Sequence, residues 1–348
     1  MDQRADWLGK PYYSLNAYFK YTYGEKIYKI AVDAGLTCPN RDGTLDHRGC
    51  IFCSAGGSGD FAVPINDTPY AKQYGTNSAS RQNPVDVRRQ IERGMAKFNK
   101  SVGERFVIYF QAYTNTYGSV DYLREIWTAA LCEPSVAGIS IATRPDCLGK
   151  EILDLLAELN CIYSAQGKFI WVELGLQTMH EMTAQYIRRH YYLVEYEDAV
   201  RNLTKINIPY ITHVILGLPG ESREMMLSTV RYVSAGNFAT CESGEHVACR
   251  PFGIKLQLLH VLMGTDLAKE YEEGVFEVLS MEDYIALTAE CLRVIHPEIV
   301  VHRVTGDGPK HSLIAPEWSK NKKAVLNGLH KYMAEHDIRQ GEACRARY

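Results

Sequence analysis

Residues 33–57 read DAGLTCPNRDGTLDHRGCIFCSAGG and gather three of the chain's ten cysteines, Cys38, Cys50 and Cys53, on one polar stretch. The stretch follows a β-rich run, KIYKIAV at 26–32, and is dense in Gly, Asn, Asp and Pro, the residues of loops. Three readings fit the thiols alone. With His47 as a fourth ligand they suit a structural zinc site. Cys50 and Cys53 form a CxxC that suits redox exchange, with Cys38 as a bystander. They also suit a four-iron cluster held by three irons; such clusters usually take four Cys ligands, so the fourth iron would be open to another molecule.

The bulk of the chain limits these readings. Its 348 residues allow one large domain or two ordinary ones, and 46% hydrophobic content supplies a sizeable core. No apolar run approaches the ~18 residues of a membrane span, and the N-terminal MDQRADWLGKPYYSLN has no secretory signal. A cytoplasmic protein without membrane contact is expected, and clustered cysteines in that compartment point to metal or catalysis rather than crosslinks. The net charge of −3 gives no general drive toward nucleic acid.

Outward from the loop, strand-like and helix-like runs alternate. Val87, Ile91, Met95 and Phe98 share one face of a helix in PVDVRRQIERGMAKF. RFVIYFQ, VAGISIAT, KFIWVELGLQ, IPYITHVILGL and GIKLQLLHVL read as buried strands separated by helical runs. Counting the first strand, this gives about six strand–helix units, the pattern of a parallel sheet with crossover helices. Six units are too few for a closed eight-unit barrel, so an open partial barrel or a doubly wound sheet is expected. Either places the cysteine loop on the ligand face, at the strands' C-terminal ends. SAGNFATCESGEHVACRPFG reads as an irregular insertion.

At the strand ends the chain resembles the radical S-adenosylmethionine (SAM) superfamily, specifically its elongator-catalytic-subunit-like branch. The superfamily's loop is CxxxCxxC; here the first gap widens to eleven residues, as that branch also does, and Phe52 holds the usual aromatic place before the last Cys. ISIATRPD, VELGLQT, HVILGLPGES, LHVLMGT and HRVTGDGP (302–309) match in order. The resemblance implies a partial (β/α)6 TIM-like barrel. It divides the chain into an N-terminal extension (1–26), a radical SAM core (27–310) and a C-terminal helical extension (311–348). It also implies a [4Fe-4S] cluster on Cys38, Cys50 and Cys53, with the open iron chelated by the methionyl amine and carboxylate of SAM. Reduction of the cluster, by a donor such as flavodoxin or ferredoxin, then yields a 5′-deoxyadenosyl radical.

Further SAM contacts follow from the same resemblance. Gln177 and Arg189 have the spacing of a SAM-binding pair in oxygen-independent coproporphyrinogen oxidases, where a guanidinium can grip a carboxylate. Glu173 lies beside them, and His213 stands where those enzymes carry a ribose-binding Asp. Gln111, or else Asn115, stands in for the missing GGE-type turn. GLPGES lacks a phosphate-loop ending and reads as a tight turn near the adenine. Arg144 and Asp146 of TRPD either pair with each other or enter the site. Cys241, His246 and Cys249 read as a flexible loop before an auxiliary metal site. The N-terminal tyrosines 12, 13, 18, 21 and 23 suit packing or base stacking; Lys320, Lys322 and Lys323 suit a solvated helix start or phosphate contacts.

The function this implies is modification of the C5 side group of wobble uridine in transfer RNA, in 5-carboxymethylaminomethyluridine processing. Only 38 residues follow Lys310, fewer than an acetyltransferase domain needs, so no acetyl-CoA step is expected. The rivals are radical chemistry on a small metabolite or protein, and a non-catalytic zinc-stabilised binding module.

Overall fold

A computed structural model describes residues 7–57, 84–98, 104–236, 239–240, 246–247, 249–306, 308 and 311–345. Seven strands form its main sheet: β1 (Tyr28–Val32), β2 (Phe106–Phe110), β3 (Val136–Thr143), β4 (Phe169–Gln177), β5 (Tyr210–Leu216), β6 (Gly253–Leu258) and β7 (Val300–Arg303). They lie in chain order and every pairing is parallel. The sheet is a curled half-barrel with β1 and β7 at its edges. Helices cover the outer face, so strands such as β2 are buried along their whole length and read as continuous apolar runs.

The sequence pointed to six strands, and the seventh is a correction. Its four residues, Val-Val-His-Arg, are too short to show a period and run into a Gly-rich segment.

The connecting helices are α2 (Pro84–Ala96), α3 (Val120–Leu131), α4 (Lys150–Ser164), α5 (Glu181–Tyr186) with α6 (Leu193–Lys205), α7 (Arg223–Ala235), and α8 (Asp266–Glu272) with α9 (Met281–Val294). Serines 119, 222 and 280 start α3, α7 and α9 by accepting a backbone N–H in the first turn. Val87 and Ile91 of α2 are buried, and Met95 and Phe98 pack beside them, as their spacing predicts. Cys241 and the His246 side chain lie outside the described residues, and Cys249 is a buried core thiol.

The N-terminal helix α1 (Leu15–Tyr23) plugs the bottom of the half-barrel. Phe19 stacks on Trp171 at 5.8 Å, and Tyr18 meets the edges of Trp171 and Phe252. Val107, Ala137 and Ile211 complete this apolar floor. Of the N-terminal tyrosines, Tyr12, Tyr13, Tyr18 and Tyr23 make ring contacts within the fold, while Tyr21 is exposed. The C-terminal helix α10 (Lys322–Glu335) buries Val325, Leu329 and Met333. Beyond it Gln340 stitches the termini together: its amide donates to the Ile299 and His296 carbonyls, and its Oε1 accepts from the Tyr13 N–H. Among the described residues no helix is long and apolar enough to cross a membrane.

Candidate active site

A cavity of about 250 Å³ opens at the C-terminal ends of the strands, and Cys38, Cys50 and Cys53 all line it. The loop that carries them is fixed by its own backbone. Arg41 N–H bonds the Cys38 carbonyl at 2.8 Å, and Cys53 N–H bonds that of Cys50 at 2.9 Å. The Arg41 guanidinium donates to the Cys53 and Ser54 carbonyls, while Asn40 Nδ2 bridges the Arg188 carbonyl (2.8 Å) and the Cys50 sulfur (3.5 Å). Gly57, at φ 57°, lies flat against the Tyr113 ring, and the Tyr113 hydroxyl donates to Ala55 at 2.5 Å. A side chain at 57 would collide with that ring.

None of the three cysteines is in a disulfide. Burial, then the charge of Cys53, push the Cys50 thiol up to about 12, so a thiolate there needs a cation to hold it. Among the described residues no three His, Cys, Asp or Glu side chains close on a single metal ion. His47 is exposed and outside the cavity lining. The zinc reading with His47 therefore loses its geometry.

Below the loop, period-two alternation stacks the inward residues in layers. The apolar floor is followed by a charged layer of Lys29, Tyr109, Ser140, Glu173, His213 and Lys255, joined by hydrogen bonds and ion pairs. Glu173 is 0% exposed. Its Oε1 accepts from Lys29 (2.7 Å) and Ser140 (2.5 Å), and its Oε2 from His213 Nε2 (2.7 Å) and Lys255. Lys255 and Lys29 hold its carboxyl well below the usual range against the cost of burial. Burial, with Lys255 nearby, drives the His213 imidazole down to about 4; it is neutral, donating from Nε2 and accepting the Gln257 amide at Nδ1. Burial also lowers Lys255 to about 7.

Glu173 and His213, expected at the cofactor, border the cavity, and their polar atoms bond each other and two lysines. Arg189 also lines the cavity; 2% exposed, it donates to the carbonyls of Tyr191, Leu176 and Thr178 and pairs with Glu181, tying the end of β4 to the segment after α5. Arg144 and Asp146 pair with each other at 2.7 Å.

Gln177 differs. It sits at φ 69°, in the left-handed region, at a register shift between β4 and β5. Its Oε1 is buried without a hydrogen-bond partner, and the residue lines the cavity. Strain and an orphaned acceptor at one point mark a ligand position. Phe52 and Gln111 line the same cavity. Asn115 does not, because its amide donates to three backbone carbonyls. Sequence reasoning missed Lys29, Lys255 and Tyr109; a lysine inside the apolar run GIKLQLL was the available signal.

Residues 46–233 match the family model described as the radical SAM superfamily, and residues 251–335 match the radical SAM C-terminal domain. The chain belongs to the radical SAM superfamily. It is 40% identical over 333 residues to the Bacillus subtilis protein YtqA, covering 96% of this chain and 92% of that one. It is 22% identical over 336 residues to the Methanocaldococcus jannaschii tRNA uridine(34) acetyltransferase, covering 90% of this chain and 57% of that protein. The fold matches the archaeal Methanocaldococcus infernus Elp3 with a TM-score of 0.60 at 15% identity, over 90% of this chain and 65% of that one. These matches place the chain in the Elp3-like branch of the superfamily. A [4Fe-4S] cluster and SAM are the generic cofactors of such radical SAM enzymes.

Proposed function

We propose that this radical SAM enzyme modifies the C5 side group of wobble uridine in transfer RNA, acting on a 5-carboxymethylaminomethyl-type substituent. The observation that carries this reading is one cavity lined by three cysteines outside any disulfide and by an orphaned glutamine acceptor. The donor set suits a cluster better than a lone ion: the thiols share a cavity without converging on one point, and Asn40 offers an N–H to the Cys50 sulfur. Cys38, Cys50 and Cys53 would hold the cluster. When bound, cluster and SAM together supply a 5′-deoxyadenosyl radical for hydrogen abstraction; the chain positions the reactants and excludes water.

Gln177 Oε1 would accept a hydrogen bond from the cofactor nucleoside or amine, with Gln111 as a second polar lining residue and Phe52 as an apolar one. Arg41 keeps the loop closed over the site through the Cys53 and Ser54 carbonyls. The transfer RNA substrate is supported by the relative named for uridine 34 and by access: a wobble base lies in a loop and can be splayed into a pocket without melting a duplex. A flavodoxin- or ferredoxin-type donor would supply the electron, and the reaction belongs in the cytoplasm, where transfer RNA is used. The core at 27–310 would carry the chemistry, with the extensions 1–26 and 311–348 sealing the barrel floor and its outer face.

Two measurements test this. Anaerobic reconstitution should give a brown protein that forms 5′-deoxyadenosine from SAM under reductant, with each of the three Cys→Ala variants inactive. Mass spectrometry of transfer RNA nucleosides from cells lacking the gene should show a wobble uridine precursor accumulating. A colourless, zinc-loaded protein purified without oxygen overturns the radical reading. An unchanged nucleoside profile overturns the RNA reading alone and favours a small metabolite or a protein as substrate.

A further inference from the structure

Two adjacent residues of β7 point into the half-barrel, where a regular strand would send one. Val301 packs in the outer core under the helices. His302 turns inward, its ring 5.5 Å from that of Trp171 and 5.6 Å from that of Phe252. Arg303 also faces inward: it pairs with Lys255 across a register shift that follows Val301, and it lines the cavity. Val304 returns to the outer core. The extra residue is a β-bulge on an edge strand, and bulges beside binding sites serve to re-aim a side chain.

The guanidinium aimed in this way has no carboxylate or hydrogen-bond partner among the described residues. Its cationic neighbours in the cavity are engaged: Arg41 with backbone carbonyls, Arg144 with Asp146, Arg189 with carbonyls and Glu181, Lys255 with Glu173. Glu173 is the one carboxylate in the described lining, and it already answers both Lys29 and Lys255. The base of the cavity is therefore positive, with an uncommitted planar donor pair. That arrangement fits a carboxylate, which a guanidinium grips through two parallel N–H bonds.

We propose that Arg303 anchors a carboxylate at the far end of the substrate's side group, below the cysteine loop, and so selects substrates that carry one. The site is argued from the bulge; the identity of the carrier, a uridine with a carboxymethylaminomethyl group, rests on the proposed function. The selection then happens at binding. A substrate without the carboxylate leaves the half-buried Arg303 beside Lys255 without the counter-charge it would otherwise gain.

Equilibrium dialysis on the anaerobically reconstituted, SAM-loaded protein tests this with two nucleosides, 5-carboxymethylaminomethyluridine and 5-aminomethyluridine. The carboxylate-bearing nucleoside should bind at least about tenfold more tightly, the loss of a charge-assisted pair being of that size. Arg303→Gln should erase the preference, Arg303→Lys should keep part of it, and SAM affinity and melting temperature should stay as in the parent. Equal binding of the two nucleosides by the parent, or a preference that survives in Arg303→Gln, overturns the assignment. So does a loss of SAM affinity in Arg303→Gln with the nucleoside preference intact, which would give Arg303 to the cofactor. N-benzylglycine and benzylamine separate the two ideas. If neither nucleoside binds but N-benzylglycine outbinds benzylamine through Arg303, the carboxylate anchor stands and the uridine reading falls; if it does not, the anchor falls too.

Discussion

His213 resists protonation because it is buried beside Lys255, and this makes the folded protein sensitive to acid. The imidazole titrates near 4 in the fold and near 6.5 when unfolded, so between those values only the unfolded chain takes up the proton. The contribution of this group to stability should be level above pH 6.5 and fall as pH drops from 6.5 to 4, a loss of up to about 3 kcal/mol. Urea titrations across that range should show the limb, and His213→Gln should flatten it. Glu173 poses the opposite problem. Glu173→Gln leaves Lys29 and Lys255 facing no carboxylate, at a cost of about 3–5 kcal/mol. Compared at pH 6 and pH 9, the lower urea midpoint should recover partly at the higher pH, since Lys255, already lowered to about 7 while Glu173 holds it up, gives up its proton more readily once that carboxylate is gone. An equal loss at both pH values would show that Lys255 is not the stranded charge. None of this was legible in VELGLQ, where Glu173 looks like a strand-end polar residue. Its partners Lys29 and Lys255 lie 144 and 82 residues away, and only the curl of the sheet brings them together.

At the scale of elements, the cysteine loop depends on contacts the loop does not itself contain. Tyr113, from the segment after β2, supports residues 55–57 through its ring, its hydroxyl and its N–H. Gly57→Ala forces a side chain into that ring at a backbone angle suited to glycine, a local strain of about 1–3 kcal/mol. The variant should keep its global melting temperature but hold less iron after anaerobic reconstitution, measured as iron per chain. Full iron retention would mean the loop adapts. The loop, the parallel strands and their helices were readable because each carries a local signal: clustered thiols, apolar runs, serine caps. The strained turn at Gln177 and the bulge in β7 were not, since both arise from register between strands rather than from the residues of one strand.

Across the whole molecule, the half-barrel is closed from below by the two ends of the chain. α1 fills the floor, and Gln340, 2% exposed, links the N-terminal segment to β7 and to the end of α9. Gln340→Ala removes three hydrogen bonds and leaves the buried Ile299 carbonyl without its donor, while the His296 carbonyl keeps the Ile299 N–H; the loss should be about 1–3 kcal/mol. Chemical denaturation should register the loss as a lower midpoint with an unchanged slope; an unaltered midpoint would mean water replaces the amide. The sequence showed aromatic residues near one end and a helix near the other. That they meet beneath the sheet is a property of the fold alone.

The doubled inward step in β7 also bears on how kin of this chain are compared. Removing a single residue there would restore ordinary alternation and swing the following side chain from the interior to the helix layer, whatever its type. Specificity at this edge can therefore change by a gap in an alignment rather than by a substitution. Two homologues sharing an arginine in that column need not share what it touches, and relatives are better grouped by the spacing between Val301 and Val304 than by the letter at 303.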